Sequence, residues 1–278
     1  MAKISTWITG ARIRTLPLAV APVILGSATA FSLDAFDLVL ALLALAVALL
    51  LQIGVNYAND YSDGVRGTDA NRVGPQRITA GGLARPAAVK RAAFVTFGLA
   101  MLAGLAIVLI TAQWWLIAVG LAAVVAAWYY TGGKRPYGYN GLGEISVFIF
   151  FGLVATVGTS FIQTLFLDPL AVMLGAALGL YASAVLLVNN IRDIETDRVA
   201  GKRTLSVRIG AKASKTLFML LIWLPVLLNL VLVLVYPATL LGMFNLFLIL
   251  PVTLILLESK NPGELITALK LTSLAGLG

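Results

Sequence analysis

Cysteine and histidine are both absent from the 278 residues. Without cysteine there is no disulfide framework, no thiolate metal site and no sulfur nucleophile. Without histidine the usual general base and the commonest metal ligand are gone, leaving Asp, Glu, Asn and Tyr for that chemistry. Charge is scarce as well. Only 12% of residues are charged, about half of the roughly 25% usual in soluble domains. Hydrophobic residues make up 60%, and the mean hydropathy is +0.98. A soluble core cannot absorb so much apolar surface, so the chain reads as a polytopic membrane protein. Its net charge of +8 is accounted for by where the basic residues fall, and no nucleic acid is implied.

The first thirty residues mimic a leader peptide, with Lys3, Arg12 and Arg14 before an apolar run ending at Gly26-Ser27-Ala28-Thr29-Ala30. They read as a retained helix over 16–33, because further spans follow. A second uncharged helix covers 38–58, and a polar, arginine-rich stretch follows over 60–91. Residues 92–133 carry no charge. A span needs about 20 residues, so these are two helices turning near Gln113-Trp114-Trp115. Further helices are expected over 145–167 and 170–191, two more over 216–257 with a turn at Tyr236-Pro237, and a short ninth over 264–278. The turns near 34–37, 112–115, 168 and 236–239 contain no Lys or Arg, while the opposite loops are basic and only Lys270 falls inside a helix. That bias puts the N-terminus and the basic loops in the cytoplasm.

Two of those cytoplasmic helix ends carry matched acidic motifs. Asn56 precedes Asp60 and Asp63; Asn189 precedes Asp193 and Asp197. Carboxylates at a helix C-terminus are disfavoured by the helix dipole, and two such clusters repel unless something positive lies between them. A hard divalent cation bound through oxygen is the simplest answer. Mg²⁺ takes one or two carboxylates together with substrate phosphates. On this reading Asp60 and Asp63 hold one ion, Asp193 and Asp197 another, and a diphosphate bridges them, with Asn56 and Asn189 a turn deeper. The bland reading is that polar residues simply end helices in water. The four-helix offset between the motifs suggests one transmembrane domain, 1–278, built of parallel halves near 1–142 and 143–278.

Basic residues near glycines offer an anion cradle: Arg72 and Arg77 before Ala80-Gly81-Gly82, Lys134 after Gly132-Gly133, and Lys202. Their alternative role is as topology signals in solvated loops. Tyr130 and Lys134 lie four apart; an interfacial aromatic with a snorkelling lysine is the plainer account. Trp7, Trp128 and Trp223 fit an aromatic belt or lipid-facing packing. Gln163 and Asn229, both mid-helix, suit bonds between helices.

The paired Asp motifs after the second and sixth helices, the Tyr130-to-Lys134 element after the fourth and nine spans together resemble the UbiA superfamily of intramembrane aromatic prenyltransferases. Asn59-Asp60-Tyr61-Ser62-Asp63, Gly67-Thr68-Asp69 and Gly74-Pro75-Gln76-Arg77-Ile78-Thr79-Ala80-Gly81-Gly82 are most similar to the branch acting on 1,4-dihydroxy-2-naphthoate in menaquinone biosynthesis. One departure stands out, since other branches place a third Asp four residues after the second and here Asp69 is six after. The resemblance implies an all-α fold of nine spans around a central cavity in the inner membrane, its site facing the cytoplasm. It implies Mg²⁺-dependent transfer of a polyprenyl group from its diphosphate to the naphthoate, with loss of CO₂, giving demethylmenaquinone or its quinol. Asp60, Asp193, Tyr130 and Lys134 would serve the chemistry, Tyr130 stabilising an allyl cation through its ring face. Asn56, Asn189, Arg72, Arg77, Lys134 and Lys202 would hold substrate, and Asp60, Asp63, Asp193 and Asp197 the metal. A sister enzyme using 4-hydroxybenzoate or homogentisate is the nearest alternative. A transporter fits less well, because the charged motifs sit at helix ends and not at the midplane.

Overall fold

The computed structural model describes residues 2–68, 77–259, 261 and 263–277, and every described element is helical. Among the described residues six helices are long and apolar enough to cross a membrane: α3 (Leu38–Arg66), α4 (Pro86–Thr111), α6 (Gly143–Thr164), α7 (Pro169–Arg192), α9 (Leu205–Val233) and α10 (Pro237–Glu258). Three shorter apolar helices, α2 (Pro17–Ser32), α5 (Leu116–Tyr129) and α11 (Leu265–Ala275), fall where the remaining spans were expected. Two further helices are short: α1 (Ile4–Ala11) and α8 (Ile194–Val199).

The helix starts follow from their first residues. Asp37 and Asp168 accept from Leu40 N at 2.9 Å and Leu170 N at 3.0 Å, satisfying orphan amides of α3 and α7. Pro17, Pro86 and Pro169 open their helices, where a missing N–H costs nothing. Three boundaries depart from the sequence reading. The α3 helix continues two turns past residue 58 to Arg66 and stops at Gly67, whose φ is 72°. The acidic motif therefore lies within the helix. The α9 helix begins at Leu205, well before residue 216, because the basic loop residues from Leu205 onward are themselves helical, with a kink at Gly210. And α1, which hydropathy alone did not suggest, packs Trp7 edge-on to Tyr57 with ring centroids 5.8 Å apart. Tyr57 OH donates to Trp7 O at 2.9 Å, fastening α1 to α3.

Helices meet through small residues, as expected where lipid gives no hydrophobic reward for association. A Cβ added to Gly152 of α6 would lie 2.4 Å from Gly179 Cα of α7, so only glycine permits that approach. Between α2 and α6, Thr29 Oγ1 donates to Ser160 Oγ at 2.9 Å. Gln163 and Asn229 bond across to other elements, Gln163 accepting from Asp37 N and Asn229 donating to Thr239 O. Large apolar side chains such as Leu109 (63% exposed) and Leu254 line the outside. In water such a surface would aggregate; against lipid it is at home. Apolar interiors gather around Phe218, Ile222 and Leu256, around Tyr57, Ile78 and Phe97, and around Val23, Ile107 and Ile162. Between these interiors lies a cavity.

Candidate active site

The cavity has a volume of about 1030 Å³ and touches Ala44 at one end of α3 and Asp63 at the other. Nineteen residues of helix separate them, about 28 Å at 1.5 Å per residue. Its deep part is apolar, with Val47, Leu105, Leu116 and Val154 among the walls; its mouth is polar and charged. Along α3 the lining residues Gln52, Asn56, Asn59 and Asp63 recur at helical spacing and share one face.

At the mouth, both acidic motifs meet. Asp63, Asn189, Asp193 and Asp197 all line the same cavity, with Arg77, Arg192 and Lys202. The repulsion anticipated between the two motifs is relieved by cations. Lys202 Nζ lies 3.2 Å from Asp63 Oδ2, both side chains nearly buried. Arg192 forks onto Asp193 at 2.7 and 2.6 Å and reaches Asn189 Oδ1 at 2.8 Å. Asp197 Oδ2 accepts from Thr204 Oγ1 at 3.5 Å, and its carbonyl accepts from Lys202 N at 2.8 Å, so α8 and the turn after it bring Lys202 to Asp63.

Tyr139 ties the halves together. Its hydroxyl donates to Asp63 Oδ1 and its carbonyl accepts from Arg203 N at 2.9 Å. Lys202 Nζ sits 4.8 Å and the Arg66 guanidinium 5.3 Å from the Tyr139 ring centroid, favourable positions for cations. Burial and the neighbouring Asp63 charge push the Tyr139 hydroxyl well above its ordinary pKa, so it remains a donor. Arg66 also donates to the carbonyls of Thr131 and Gly133, and Thr131 Oγ1 donates to Asn59 Oδ1 at 2.8 Å.

The expected residues divide accordingly. Asp63, Asp193, Asp197, Asn56, Asn189, Arg77, Lys202 and Tyr130 line the cavity. Asp60 does not. Sequence reasoning put it among the metal ligands, but it is only 1% exposed and both its oxygens are taken by backbone amides, Ile78 N at 3.0 Å and Thr79 N at 2.8 Å. Lys134 is exposed and off the cavity wall. Its four-residue spacing from Tyr130 aligns the two only on a continuous helix, and α5 stops at Tyr129, with Gly133 at φ 72° turning the chain. Arg72 and Asp69 lie outside the described residues. Sequence reasoning missed Arg192, Tyr139, Arg66, Thr15 and Gln52. Arg192 sits between Asn189 and Asp193 in the motif itself, which was signal enough to flag it.

Whether this mouth suits Mg²⁺ turns on its donors. The acidic donors are hard carboxylate oxygens, with amide oxygens beside them. Among the described residues no three carboxylates stand close enough to hold an ion alone. Oxygen donors of this kind suit a hard cation that takes one or two carboxylates and completes its shell from phosphate and water. The residues fit such an ion once a diphosphate is present.

A model of the UbiA prenyltransferase family matches residues 19–272. A protein of Mycobacterium tuberculosis named 1,4-dihydroxy-2-naphthoate octaprenyltransferase is 46% identical over 277 residues, covering 100% of this chain and 94% of that protein. The Escherichia coli protein of the same name is 44% identical over 217 residues, covering 76% and 70%. Among solved structures, a UbiA homolog from Aeropyrum pernix has a TM-score of 0.70 at 15% identity, covering 100% of this chain and 98% of that one. A homolog from Archaeoglobus fulgidus bound to GPP and Mg²⁺ has a TM-score of 0.68 at 16% identity, covering 98% and 99%. These two speak to the fold alone.

Proposed function

The chain belongs to the UbiA prenyltransferase family, and we propose that it transfers a polyprenyl group from its diphosphate to 1,4-dihydroxy-2-naphthoate, releasing diphosphate and CO₂. The observation that carries this reading is the cavity, which joins a charged mouth to an apolar shaft within a bundle whose exterior suits lipid. A polyprenyl diphosphate has the same polarity along its length, an anionic head on a long hydrocarbon tail. The curated relatives carry the acceptor in their names.

Bond breaking here separates an allylic cation from a diphosphate leaving group of high negative charge. Lys202, Arg77 and Arg192 stand at the mouth where that negative charge collects, and fixed cations in a dry site stabilise charge that grows in the transition state. Asp63, Asp193 and Asp197, with Asn59 and Asn189, would hold Mg²⁺. When bound, the ion supplies further charge neutralisation to the leaving diphosphate. Tyr130 lines the cavity and meets Tyr137 edge-on at 5.6 Å, which fixes a ring face where an allyl cation can rest. The apolar shaft keeps water from that cation. The naphthoate carbon bearing the carboxyl group then forms the new C–C bond to the cation left by C–O cleavage, and CO₂ leaves with the ring regaining aromaticity. An electron-rich hydroxylated ring asks for little general-base help, which suits a chain with no histidine.

Nine spans, six of them long helices, would enclose the site, and the basic loops support a cytoplasmic mouth in a bacterial inner membrane. The parallel-halves reading draws support from equivalent packing, α3 on α4 and α7 on α9. The test is direct. Purified protein in nanodiscs is given labelled prenyl diphosphate, Mg²⁺ and one of three acceptors. Prenylation of the dihydroxynaphthoate with release of CO₂ is expected; consumption of 4-hydroxybenzoate or homogentisate in its place refutes the acceptor assignment, and intact prenyl diphosphate in every arm refutes the enzyme.

A further inference from the structure

One turn below Asn56, on a residue that lines the cavity, lies an acceptor with nothing to accept. Gln52 is 7% exposed and lines the cavity, and its Oε1 is buried without a hydrogen-bond partner. Its neighbours dictate which end of the amide this is. Thr15 Oγ1 spends its proton on Arg12 O at 2.9 Å, so its lone pairs can only receive. They receive Gln52 Nε2 at 3.0 Å and Asn56 Nδ2 at 3.1 Å. Asn56 Nδ2 also donates to Ala11 O at 2.9 Å, which turns Asn56 Oδ1 toward Gln52 Nε2 at 3.5 Å. Rotating the Gln52 amide by half a turn would set its oxygen against two oxygens. The network therefore holds Oε1 on the opposite side as a committed acceptor, and a buried acceptor without a donor is a costly thing for a fold to keep.

We propose that Gln52 Oε1 receives the hydroxyl of the aromatic acceptor that lies farther from the reacting carbon, the one at ring position 4, and so seats the ring below the diphosphate. This rests on the acceptor assignment above. The geometry suits it. Gln52 is eleven residues from Asp63 on the same helix face, about 16 Å of rise, which leaves the intervening wall for a flat bicyclic ring and the head of the prenyl chain. Asn56 and Thr15 do not touch the hydroxyl on this view; they orient the amide that does. A site built around a hydroxyl discriminates against the analogue that lacks it, because its own polar atom is then left unpaired.

Equilibrium binding to the purified protein, without prenyl diphosphate and under reducing conditions, tests this with 1,4-dihydroxy-2-naphthoate and 1-hydroxy-2-naphthoate. Because turnover is not read, failure of the catalytic assignment and failure of the hydroxyl site are separate results. The wild type is expected to prefer the dihydroxy compound by about tenfold, the yield of one net hydrogen bond. Gln52→Met, close in volume and without the amide, is expected to bind both equally while its prenyl diphosphate affinity stays within about twofold of wild type. Equal affinity in the wild type overturns the proposal, and so does a preference that survives in Gln52→Met. Should that variant not fold, Gln52→Leu is measured in its place, with the same expected and refuting outcomes.

Discussion

Asp60 offers the sharpest test of what the acidic motif does. Its carboxylate accepts from Ile78 N at 3.0 Å and Thr79 N at 2.8 Å and is sealed from solvent. These bonds pin the stretch ahead of α4 to α3, next in sequence to Arg77, which lines the cavity. Asp60→Asn keeps one acceptor oxygen and points an NH₂ at the other amide, so one charge-assisted bond is lost and one N–H is stranded. Such a bond is worth about 1.5–3 kcal/mol, and Asp60→Ala, losing both, should cost about 3–6 kcal/mol on the same scale. Thermal unfolding followed by tryptophan fluorescence reads the stability change. Turnover should fall as Arg77 loses its support, but the Mg²⁺ concentration giving half-maximal rate should stay within about threefold of wild type, since a tenfold change in an equilibrium needs 1.4 kcal/mol of direct contact. Asp63→Asn, by contrast, should raise that concentration at least tenfold on the same conversion. If Asp60→Asn unfolds like wild type yet needs tenfold more Mg²⁺, the loop-anchor reasoning is wrong and the residue is a ligand.

Other expectations follow from single contacts. Lys202→Met leaves Asp63 without its partner at 3.2 Å; breaking a buried pair costs about 3–5 kcal/mol, so unfolding should come earlier and the KM for prenyl diphosphate should rise, while an unchanged KM would remove Lys202 from the diphosphate site. Lys134→Ala, at an exposed position, should retain near-wild-type kinetics, and a loss of tenfold or more would restore it to the site. Gly152→Ala drives a Cβ to 2.4 Å from Gly179 Cα and 2.5 Å from Gly175 O, overpacking that should cost about 1–3 kcal/mol. Gly98→Ala in α4, with open space around it, should cost nothing, and unfolding temperatures of the two variants measure the contrast.

Hydropathy made the helices legible because a membrane span is a length requirement as well as a pattern. It failed where helices are polar. The last two turns of α3, from Asn59 to Arg66, look like a loop by composition, yet Asp60, Asp63 and Arg66 are each engaged by another segment, and those contacts keep the helix wound. α1 was missed for the opposite reason: eight residues are too few for a span, and its stability comes from Trp7 on Tyr57. For the site, spacing identified which oxygens converge but not what neutralises them. Arg192 could have been flagged by its place inside the motif, but its fork onto Asp193 is visible only in the structure. Lys134 erred the other way, since an i,i+4 argument from Tyr130 presumes a helix and α5 stops at Tyr129. Gln52 was within reach of sequence reasoning, being an amide in an otherwise uncharged helix, four residues before Asn56.

The cations at the mouth also make a claim about binding order. Asp63 and Asp193 are each held by a basic partner, Lys202 and Arg192, and the same two cations are needed by an incoming diphosphate. A diphosphate arriving alone would draw Lys202 from Asp63 and Arg192 from Asp193, and parting a buried carboxylate from its cation costs several kcal/mol. A magnesium ion arriving alone would meet carboxylates whose charge is already cancelled. Arriving together, they would let Lys202 and Arg192 turn to phosphate while Asp63 and Asp193 hold the metal, so that buried charge stays paired. Coupling of this kind is reciprocal. Prenyl diphosphate should therefore bind at least tenfold more tightly with Mg²⁺ than with EDTA, and Mg²⁺ should gain the same factor from the diphosphate. Lys202→Met should shrink that coupling, because Asp63 no longer has a partner to exchange. Equal diphosphate affinity in Mg²⁺ and EDTA would mean that the two acidic motifs and their cations act independently, and the exchange would have to be abandoned.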